Sequence, residues 1–321
     1  MQAHRVLVLG ASGFIGTHLT RRLLADGFQV RGLSRTRPPD SFDVGAAASG
    51  QLEWRVGDFA SQADHVALLA NCQSVVHLIA STLPHARTDN IALDLTEDIA
   101  PTIRLLEAAR RVGARVIFAS SGGTVYGPQP DPRIREDSPT DPICSYGVAK
   151  LAIEKYLHLF GRLHGLDYAT LRFANVFGRT VPSARGQGLI EIFTDRILRG
   201  EPLEIWGDGT TVRDYLHVDD AVDAIVKSLA HQGPHRLFNI GTGRGESVNG
   251  IIARIAQASG LRPQIRYTRG RSSDVAANVL DCSRAAEALG WQARRPLAEG
   301  IGLVVESHRN RLATRHASEA A

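Results

Sequence analysis

Residues 10–16 read Gly-Ala-Ser-Gly-Phe-Ile-Gly, a glycine-rich turn that follows the apolar run of residues 4–9 and opens an amphipathic stretch. Gly10 permits a tight turn, and Gly13 has no Cβ, so the backbone can approach a phosphate group. Gly16 lets the following helix pack closely against a strand. A strand, a glycine turn and a helix N-terminus in this order predict a site for the diphosphate of a dinucleotide.

Strand and helix patterns alternate through the first half of the chain. Nearly continuous apolar runs predict strands that are buried on both faces, as in a parallel sheet between two layers of helices. This alternation favours a dinucleotide site at the glycine turn over a plain strand–turn–helix unit. The predicted strands are residues 4–9, 29–34, 51–56, 74–79, 115–119 and 167–173, and the predicted helices are 14–26, 62–71, 93–112 and 145–164.

The 321-residue chain has a globular composition, with 43% hydrophobic and 22% charged residues. Its net charge is +4, and it has no dense basic run of the kind that binds nucleic acid. No window reaches the roughly 20 apolar residues that span a bilayer, so we expect no membrane partner. Cys72, Cys144 and Cys282 are too few and too unevenly spaced for a disulfide framework or a zinc site, which predicts a cytoplasmic location and no metal.

The pattern loosens after residue 173, where Gly- and Pro-containing stretches separate shorter elements. We therefore predict an α/β protein, a Rossmann-type doubly wound parallel sheet with a smaller C-terminal α/β substrate-binding lobe. The expected domains are 1–173 for the dinucleotide and 174–321 for the substrate, with some segments of the second able to return to the first.

The end of the second predicted strand bears on which dinucleotide binds. An acid usually stands there to accept hydrogen bonds from the adenosine ribose, but this chain has Ser34 followed by Arg35 and Arg37. Guanidinium groups can hold a 2′-phosphate, which favours NADP over NAD; two solvated arginines in a polar loop are the alternative. Asp58, after the third strand, is placed either to accept from the adenine amine or to cap a helix.

Tyr146 and Lys150 stand four residues apart in the helix predicted over 145–164, so their side chains share one helical face. A phenol with a pKa of about 10 is a weak base at neutral pH, and a neighbouring ammonium favours its phenolate. The pair therefore predicts a tyrosine base, with a lysine that can also hold the ribose beside a nicotinamide ring.

Together with the glycine turn and the run Ser-Ser-Gly-Gly-Thr-Val-Tyr-Gly at 120–127, this pair resembles the extended short-chain dehydrogenase/reductase family. The chain is most similar to its nucleotide-sugar epimerases of the UDP-glucose 4-epimerase type. The resemblance covers almost the whole chain, because the blocks at 171–178, 205–209, 212–219 and 271–274 also match.

The resemblance implies that Tyr146 and Lys150 are catalytic, but the chain departs from the family at Gly122, where relatives carry a catalytic Ser or Thr. Ser121 or Thr124 would then supply the hydroxyl, and we favour Thr124 because Ser121 is expected on the nicotinamide side. The family's dehydratases and decarboxylases carry an acid in this segment, which this chain lacks, so elimination and decarboxylation are excluded. Glu97 is a second departure, roughly where relatives place an asparagine beside the cofactor.

The resemblance also implies a set of binding residues. On the substrate side, an amide and two arginines would hold the diphosphate, while Asp274 would receive a ribose hydroxyl or orient Arg271. Asn278 would limit the space at the sugar C2 substituent. The implied substrate residues are Thr124, Tyr146, Asn175, Gly188, Leu189, Arg213, Arg271, Asp274 and Asn278. The implied cofactor residues are Gly10, Ser12, Gly13, Phe14, Ile15, Gly16, Ser34, Arg35, Arg37, Asp58, Phe59, Leu78, Ile79, Ala80, Ser120, Tyr146, Lys150 and Phe173.

The activity that this implies is inversion of C4 in a nucleotide sugar, a UDP-hexose or UDP-N-acetylhexosamine, by transient hydride transfer to bound NAD or NADP. An NADPH-dependent keto-sugar or carbonyl reductase and a non-catalytic NAD(P)-binding sensor are the alternatives. The family also pairs two helices across a homodimer as a four-helix bundle. The apolar residues expected in that bundle are Ile99, Ile103, Leu106, Leu151, Tyr156, Leu159 and Leu163.

Overall fold

The computed structural model describes residues 4–37, 50–62, 64–82, 91–131, 133–179, 188–270 and 275–319, without the side chains of 315–319. Its strands are β1 Arg5–Leu9, β2 Gln29–Ser34, β3 Leu52–Val56, β4 Ser74–His77, β5 Arg115–Ser121, β6 Arg133–Ile134, β7 Tyr168–Phe173, β8 Asn175–Phe177, β9 Leu203–Trp206, β10 Val212–His217, β11 Leu237–Ile240, β12 Gly245–Ser247, β13 Ile265–Thr268 and β14 Ala277–Leu280. Its helices are α1 Phe14–Ala25, α2 His65–Leu69, α3 Ala100–Val112, α4 Ser145–His164, α5 Leu189–Leu198, α6 Val218–Ala230, α7 Val248–Ser259, α8 Ser283–Leu289 and α9 Leu297–Glu319, and a π-helical turn, Asp94–Ile99, leads into α3.

A seven-stranded parallel sheet in the order β11-β7-β5-β4-β1-β2-β3 forms the larger part of the molecule. All six predicted strands lie in it, so the expected Rossmann-type sheet is confirmed. The seventh strand, β11, comes from the second half of the chain and was not among the predicted strands. The domain boundary at residue 173 stays a prediction, with β11 as a segment that returns to the first sheet.

Helices cover both faces of this sheet, as the apolar strand sequences require. Val6 and Val8 of β1 face a core that contains residues of α1 and α6. Leu7 and Leu9 face a second core that contains residues of α2, α3 and α4. Because alternate residues of β1 enter opposite cores, the strand needs a continuous apolar sequence rather than an alternating one.

The smaller lobe is built on β10. This strand pairs with β8, β12 and β14, and β14 continues to β6. A separate pair, β9 with β13, adjoins a third core that holds α5, α7 and α9. Phe177 of β8 and Tyr215 of β10 enter this core, so the strands that face the cleft are anchored in the smaller lobe.

The strand order reverses between β1 and β4, and in open α/β sheets ligands bind at the carboxyl ends of the strands beside such a point. The glycine turn follows β1 there, and α4 begins close to the end of β5. No helix in the described part of the chain is long and apolar enough to cross a membrane. The cytoplasmic location stays a prediction.

The apolar residues expected in a dimer bundle divide into two groups. Leu106 is fully buried in the core of the protomer, so it is not available for a dimer contact; Ile99 and Ile103 pack against that core but are only partly buried, and their part in a dimer stays a prediction. α4 does present an apolar surface, because Leu159 and Leu163 are 45% and 66% exposed. The remaining residues divide the same way: Leu151 packs on the core, and Tyr156 is exposed.

Candidate active site

A cleft of about 920 Å³ opens at the carboxyl ends of the parallel strands and reaches β8, α5 and β10 of the smaller lobe. Most of the candidate residues line it. They are Gly10, Ser12, Gly13, Phe14, Ile15, Gly16, Ser34, Arg35, Asp58, Phe59, Leu78, Ile79, Ala80, Ser120, Ser121, Tyr146, Lys150, Phe173, Asn175, Gly188, Leu189 and Arg213. Arg37, Thr124 and Asn278 are not among the lining residues, and Arg271 and Asp274 lie outside the described residues.

The glycine turn has the geometry that its sequence predicts. Gly10 has φ +85°, in the left-handed region that glycine favours, and its carbonyl accepts from the Gly13 amide at 2.9 Å. A Cβ on Gly16 would lie 2.1 Å from the Gly10 oxygen and 2.9 Å from the Ala11 Cα. The close packing leaves the N-terminal amides of α1 at the cleft, where they fit the diphosphate of a dinucleotide.

The loop after β2 is held by hydrogen bonds to one carbonyl. The Ser34 hydroxyl donates to the Thr36 oxygen at 2.6 Å, and the Trp54 indole donates to the same oxygen at 3.1 Å. Arg35 lines the cleft from this loop, whereas Arg37 is exposed outside it. The structure therefore brings one arginine of the pair, not two, to the cofactor side.

Asp58 holds a turn and does not cap a helix, since the N-cap of α2 is Asp64; its contact with an adenine amine stays a prediction. One carboxylate oxygen accepts from the Ala60 amide at 2.9 Å, which holds the turn after β3. The residue also lines the cleft beside Phe59. The second carboxylate oxygen can therefore accept from a ligand while the first keeps its turn.

Lys150 joins α4 to the ends of two strands. Its ammonium donates to the Ala119 oxygen at 2.9 Å and to the Ile79 oxygen at 3.3 Å. The side chain is buried, and burial lowers the pKa of Lys150 to about 8, against the opposing effect of the Asp98 and Glu154 carboxylates. The ammonium is held in the protein by carbonyls, 5.7 Å from the centre of the Tyr146 ring.

Burial is also the main influence on the pKa of Tyr146, which it raises. The carboxylate of Asp98 and the thiol of Cys144 raise this pKa further, whereas a hydrogen bond with Ser121 lowers it. Lys150 is not among the groups that shift the pKa of Tyr146, and its ammonium is turned to carbonyl oxygens; the expectation that it favours the phenolate stays a prediction.

The structure separates the two candidate hydroxyls. Ser121 lines the cleft and hydrogen-bonds Tyr146, whereas the Thr124 hydroxyl is buried with no partner among the described residues. A Cβ on Gly122 would lie 2.6 Å from a methyl of Leu280, so a side chain there would meet the core. The geometry favours Ser121, the reverse of the preference for Thr124.

A buried ion pair behind the catalytic helix was not found from the sequence. Arg172 of β7 donates to both carboxylate oxygens of Glu154, with Nη2 at 2.6 Å from Oε2. The Ser120 hydroxyl donates to Glu154 Oε1 at 2.5 Å. Glu154 lies one helical turn beyond Lys150. The four-residue spacing of Tyr146, Lys150 and Glu154 was therefore the sequence pattern that could have indicated Glu154 on the same face of the helix. The pair holds α4 against β5 and β7.

Two buried acids, Asp94 and Asp98, lie on the π-helical turn. Asp98 accepts from the amide of Ser81 at 3.0 Å and from its hydroxyl at 2.9 Å, and burial raises the pKa of Asp98. Asp94 accepts from the hydroxyl of Ser145, at the first turn of α4. Glu97, between them, lines the cleft. Within the described ranges, no group of three or more histidine, cysteine, aspartate or glutamate residues could hold a metal ion.

The substrate side of the cleft carries Asn175 on β8 and Arg213 on β10. An Arg213 Nη donates to the backbone oxygens of Val212 and Val275 at 2.8 and 2.7 Å, which orients the guanidinium. Asn278 is buried instead of facing the cleft, and its amide donates to the Gly122 oxygen at 3.1 Å. The expectation that Asn278 limits the space for the sugar is therefore not met, because strand pairing places it under the loop of Ser121.

Comparison with known proteins agrees with this geometry. Residues 6–241 match the model of the NAD dependent epimerase/dehydratase family. The chain is 39% identical over 311 residues to a UDP-glucose 4-epimerase of Mycolicibacterium smegmatis, covering 96% of this chain and 99% of that protein. The UDP-glucose 4-epimerase of Thermotoga maritima, solved with UDP-glucose, is 34% identical with a TM-score of 0.87 over 96% of this chain and 99% of that one.

A third similar protein was solved with a nicotinamide cofactor bound. MoeE5, solved in complex with UDP-glucuronic acid and NAD, is 36% identical with a TM-score of 0.85, over 96% of this chain and 99% of that one. The family resemblance read from the sequence motifs is confirmed over nearly the whole length of the chain. The chain belongs to the NAD dependent epimerase/dehydratase family, within the extended short-chain dehydrogenases/reductases.

Proposed function

We propose that this protein is an NAD-dependent UDP-sugar 4-epimerase. The observation that carries the proposal is the position of Tyr146 and Ser121 in one cleft, between the glycine turn on one side and Asn175 with Arg213 on the other. A cofactor on the first side and a nucleotide sugar on the second would meet at the tyrosine. The relatives described above act on, or were solved with, UDP-sugars and NAD.

The residues of the cleft fit a dinucleotide. The amides at the start of α1 would hold its diphosphate, Asp58 its adenine, and Lys150 the ribose next to the nicotinamide. Bound NAD supplies a hydride acceptor and a positive charge on its oxidised ring. That positive charge would favour the phenolate of Tyr146.

Tyr146 then accepts the proton of the sugar O4 as the C4 hydrogen leaves. The Ser121 hydroxyl accepts from the phenol that forms and donates its one hydrogen to the sugar O4, where negative charge develops. The flat 4-keto sugar turns about its diphosphate and presents the other face, and Tyr146 returns the proton. No carboxylate stands in the loop of residues 121–124, the segment in which the family's dehydratases carry their acid, so that route to elimination is absent.

The nucleotide must be held firmly while the sugar turns. Asn175 and Arg213 are the described donors for its diphosphate, and Arg271 and Asp274 complete the clamp in this proposal. A guanidinium that is already oriented by two backbone oxygens loses little freedom on binding. The loosely held sugar is then free to invert.

The test is incubation of the purified protein with UDP-glucose and, separately, with UDP-N-acetylglucosamine, followed by proton NMR of the products. The expected result is the C4 epimer of at least one, with no net reduction of cofactor. Tyr146→Phe should lose activity by several orders of magnitude while the cofactor stays bound. Full activity in that variant, or no C4 inversion of either sugar by the unmodified protein, would overturn the proposal.

A second candidate, an NADPH-dependent keto-sugar reductase, is favoured by Arg35 in the cleft beside Ser34. A reductase must release its cofactor in every cycle and consumes NADPH stoichiometrically, whereas an epimerase does neither. Absorbance at 340 nm during the same incubation separates the two. A non-catalytic sensor would show neither NADPH consumption nor C4 inversion.

We also propose a homodimer through the exposed face of α4. Val148, Tyr156, Leu159 and Leu163 lie exposed along this helix, and Leu95 is exposed on the neighbouring π-helical turn. An apolar patch of this kind suits an isologous contact with a second copy. Leu159→Arg should yield monomers with reduced activity, because α4 also carries Tyr146. Sedimentation that shows the unmodified protein as a monomer at micromolar concentration would reject the dimer alone.

A further inference from the structure

Arg179 reaches from the smaller lobe to the glycine turn. It follows β8 and lines the cleft, and its guanidinium carbon lies 4.5 Å from the centre of the Phe14 ring. Phe14 is the first residue of α1, directly after Gly13. A cation from one lobe is thus stacked on the residue that begins the dinucleotide-binding helix of the other.

The backbone at Arg179 is held in place from three sides. The amides of Gly178 and Arg179 donate to one oxygen of Glu191 at 2.8 and 3.0 Å, and Glu191 is 1% exposed. The Arg179 carbonyl lies 3.3 Å from a ring nitrogen of the buried His308. Gly178 has φ +115°, and a Cβ there would lie 2.8 Å from the His217 ring. The side chain therefore leaves a rigid turn and is directed to Phe14.

The surroundings of this guanidinium suit an anion. Burial lowers the pKa of Arg179 and the Glu191 carboxylate opposes that effect, yet an arginine stays charged at neutral pH. The first turn of α1, which is fully described, has no acidic side chain. Stacking on an aromatic face leaves the N–H edge of the guanidinium free to donate. The helix N-terminus and this edge together form a site for a diphosphate.

We propose that Arg179 closes over the cofactor diphosphate from the smaller lobe and slows cofactor release. The proposal rests on NAD as the cofactor. The alternative anion is the diphosphate of the sugar nucleotide, but the contact of Arg179 with Phe14 places it on the cofactor side. Arg213 already supplies a guanidinium on the other side.

Slow release is useful to an epimerase, which must keep the same cofactor through both hydride transfers. A bond that joins the two lobes across the cofactor is broken only when the cleft opens. Removing one charge-assisted contact of this kind costs about 10- to 100-fold in affinity, and most of such a loss appears in the dissociation rate.

The test compares Arg179→Gln and Arg179→Lys with Arg262→Gln, which removes an exposed arginine after α7. Calorimetry would give the dissociation constants of ADP-ribose and UDP, and displacement of fluorescent NADH would give its release rate. We expect Arg179→Gln to weaken ADP-ribose and speed NADH release by about 10- to 100-fold, with UDP within twofold. Arg179→Lys should restore part of the affinity, and Arg262→Gln should match the unmodified protein.

Loss of UDP affinity with unchanged ADP-ribose affinity would overturn the proposal and assign Arg179 to the substrate. Unchanged affinity for both ligands in a folded Arg179→Gln protein would overturn it as well. The outcome is separate from that of the epimerase assay, because ADP-ribose binding needs no turnover. A protein without epimerase activity would still show the Arg179 effect, and an active epimerase can lack it.

Discussion

Lys150→Met removes a buried ammonium and keeps most of the length of its aliphatic stem. The variant therefore measures how much the buried charge lowers the free energy of unfolding. The pKa of this lysine is lowered from 10.5 to about 8, chiefly by burial. The difference corresponds to about 3 kcal/mol of destabilisation when the amine is charged in both states. Methionine leaves the oxygens of Ala119 and Ile79 without their donor, which offsets part of the gain. We expect the variant to be about 1–3 kcal/mol more stable than the wild type at pH 7, and catalytically inactive.

The gain depends on pH with a definite sign. The folded-state pKa lies below the unfolded-state value, so between about pH 8 and 10.5 the unfolded chain binds the additional proton. The free energy of unfolding of the wild type therefore rises with pH across that interval, relative to Lys150→Met. The advantage of the variant should shrink by about 1.4 kcal/mol between pH 7 and pH 9.

Urea unfolding at pH 7, 8 and 9 on protein stripped of nucleotide measures both effects, because bound cofactor would add its own stabilisation. Lys155→Met is the matched control, since Lys155 lies exposed on the same helix. It should give no comparable gain and no comparable slope. A Lys150→Met protein less stable than the wild type at pH 7, or an advantage that does not change with pH, would show that the buried charge of Lys150 does not destabilise the fold.

Three further predictions test the site and the fold. Ser121→Ala should lower kcat by about 10²-fold or more. Thr124→Val should keep activity and raise Tm, because it removes a buried hydroxyl that has no hydrogen-bond partner. Steady-state kinetics showing the reverse would assign the hydrogen bond to the sugar O4 to Thr124. Replacing Arg35 and Arg37 by alanine should weaken NADP more than NAD in calorimetric titrations, because only NADP carries the 2′-phosphate; equal weakening would remove the support that Arg35 gives to the NADPH-dependent reductase. In α9, Gly302→Ala should raise the free energy of unfolding by about 0.5–1 kcal/mol, because nothing lies within 4 Å of the added Cβ. Gly300→Ala should lower it by about 1–3 kcal/mol, because the Cβ would lie 2.7 Å from the Phe177 ring; urea unfolding that gives both variants the same sign would contradict the packing.

The parts of the fold predicted from the sequence were those in which neighbouring residues decide the structure. The glycine turn, the strands around it and helix α4 follow from local patterns of glycine and apolar residues, and α4 begins and ends where predicted. β11 was not predicted, because its four residues become a strand only beside β7. The buried Leu106 shows the same limit, since an apolar stripe does not reveal which neighbour covers it.

The site was predicted residue by residue with mixed success, for a similar reason. Tyr146 and Lys150 were found because their spacing lies within one helix. Ser121 was ranked below Thr124 because the sequence does not show that the Thr124 hydroxyl is turned into the protein. Arg172 and Glu154 pair across 18 residues, and Asn278 reaches Gly122 across 156, so these contacts depend on the folded sheet.

The fate of the C4 hydrogen shows whether this protein inverts C4 through one bound nicotinamide cofactor. The protein would be incubated with UDP-glucose that carries deuterium at C4, and the product would be examined by NMR. We expect the C4 epimer with deuterium retained at C4 and none released to water, because the hydrogen leaves and returns on one bound cofactor while Tyr146 moves only the O4 proton. A C4 epimer with protium at that carbon would rule out this mechanism.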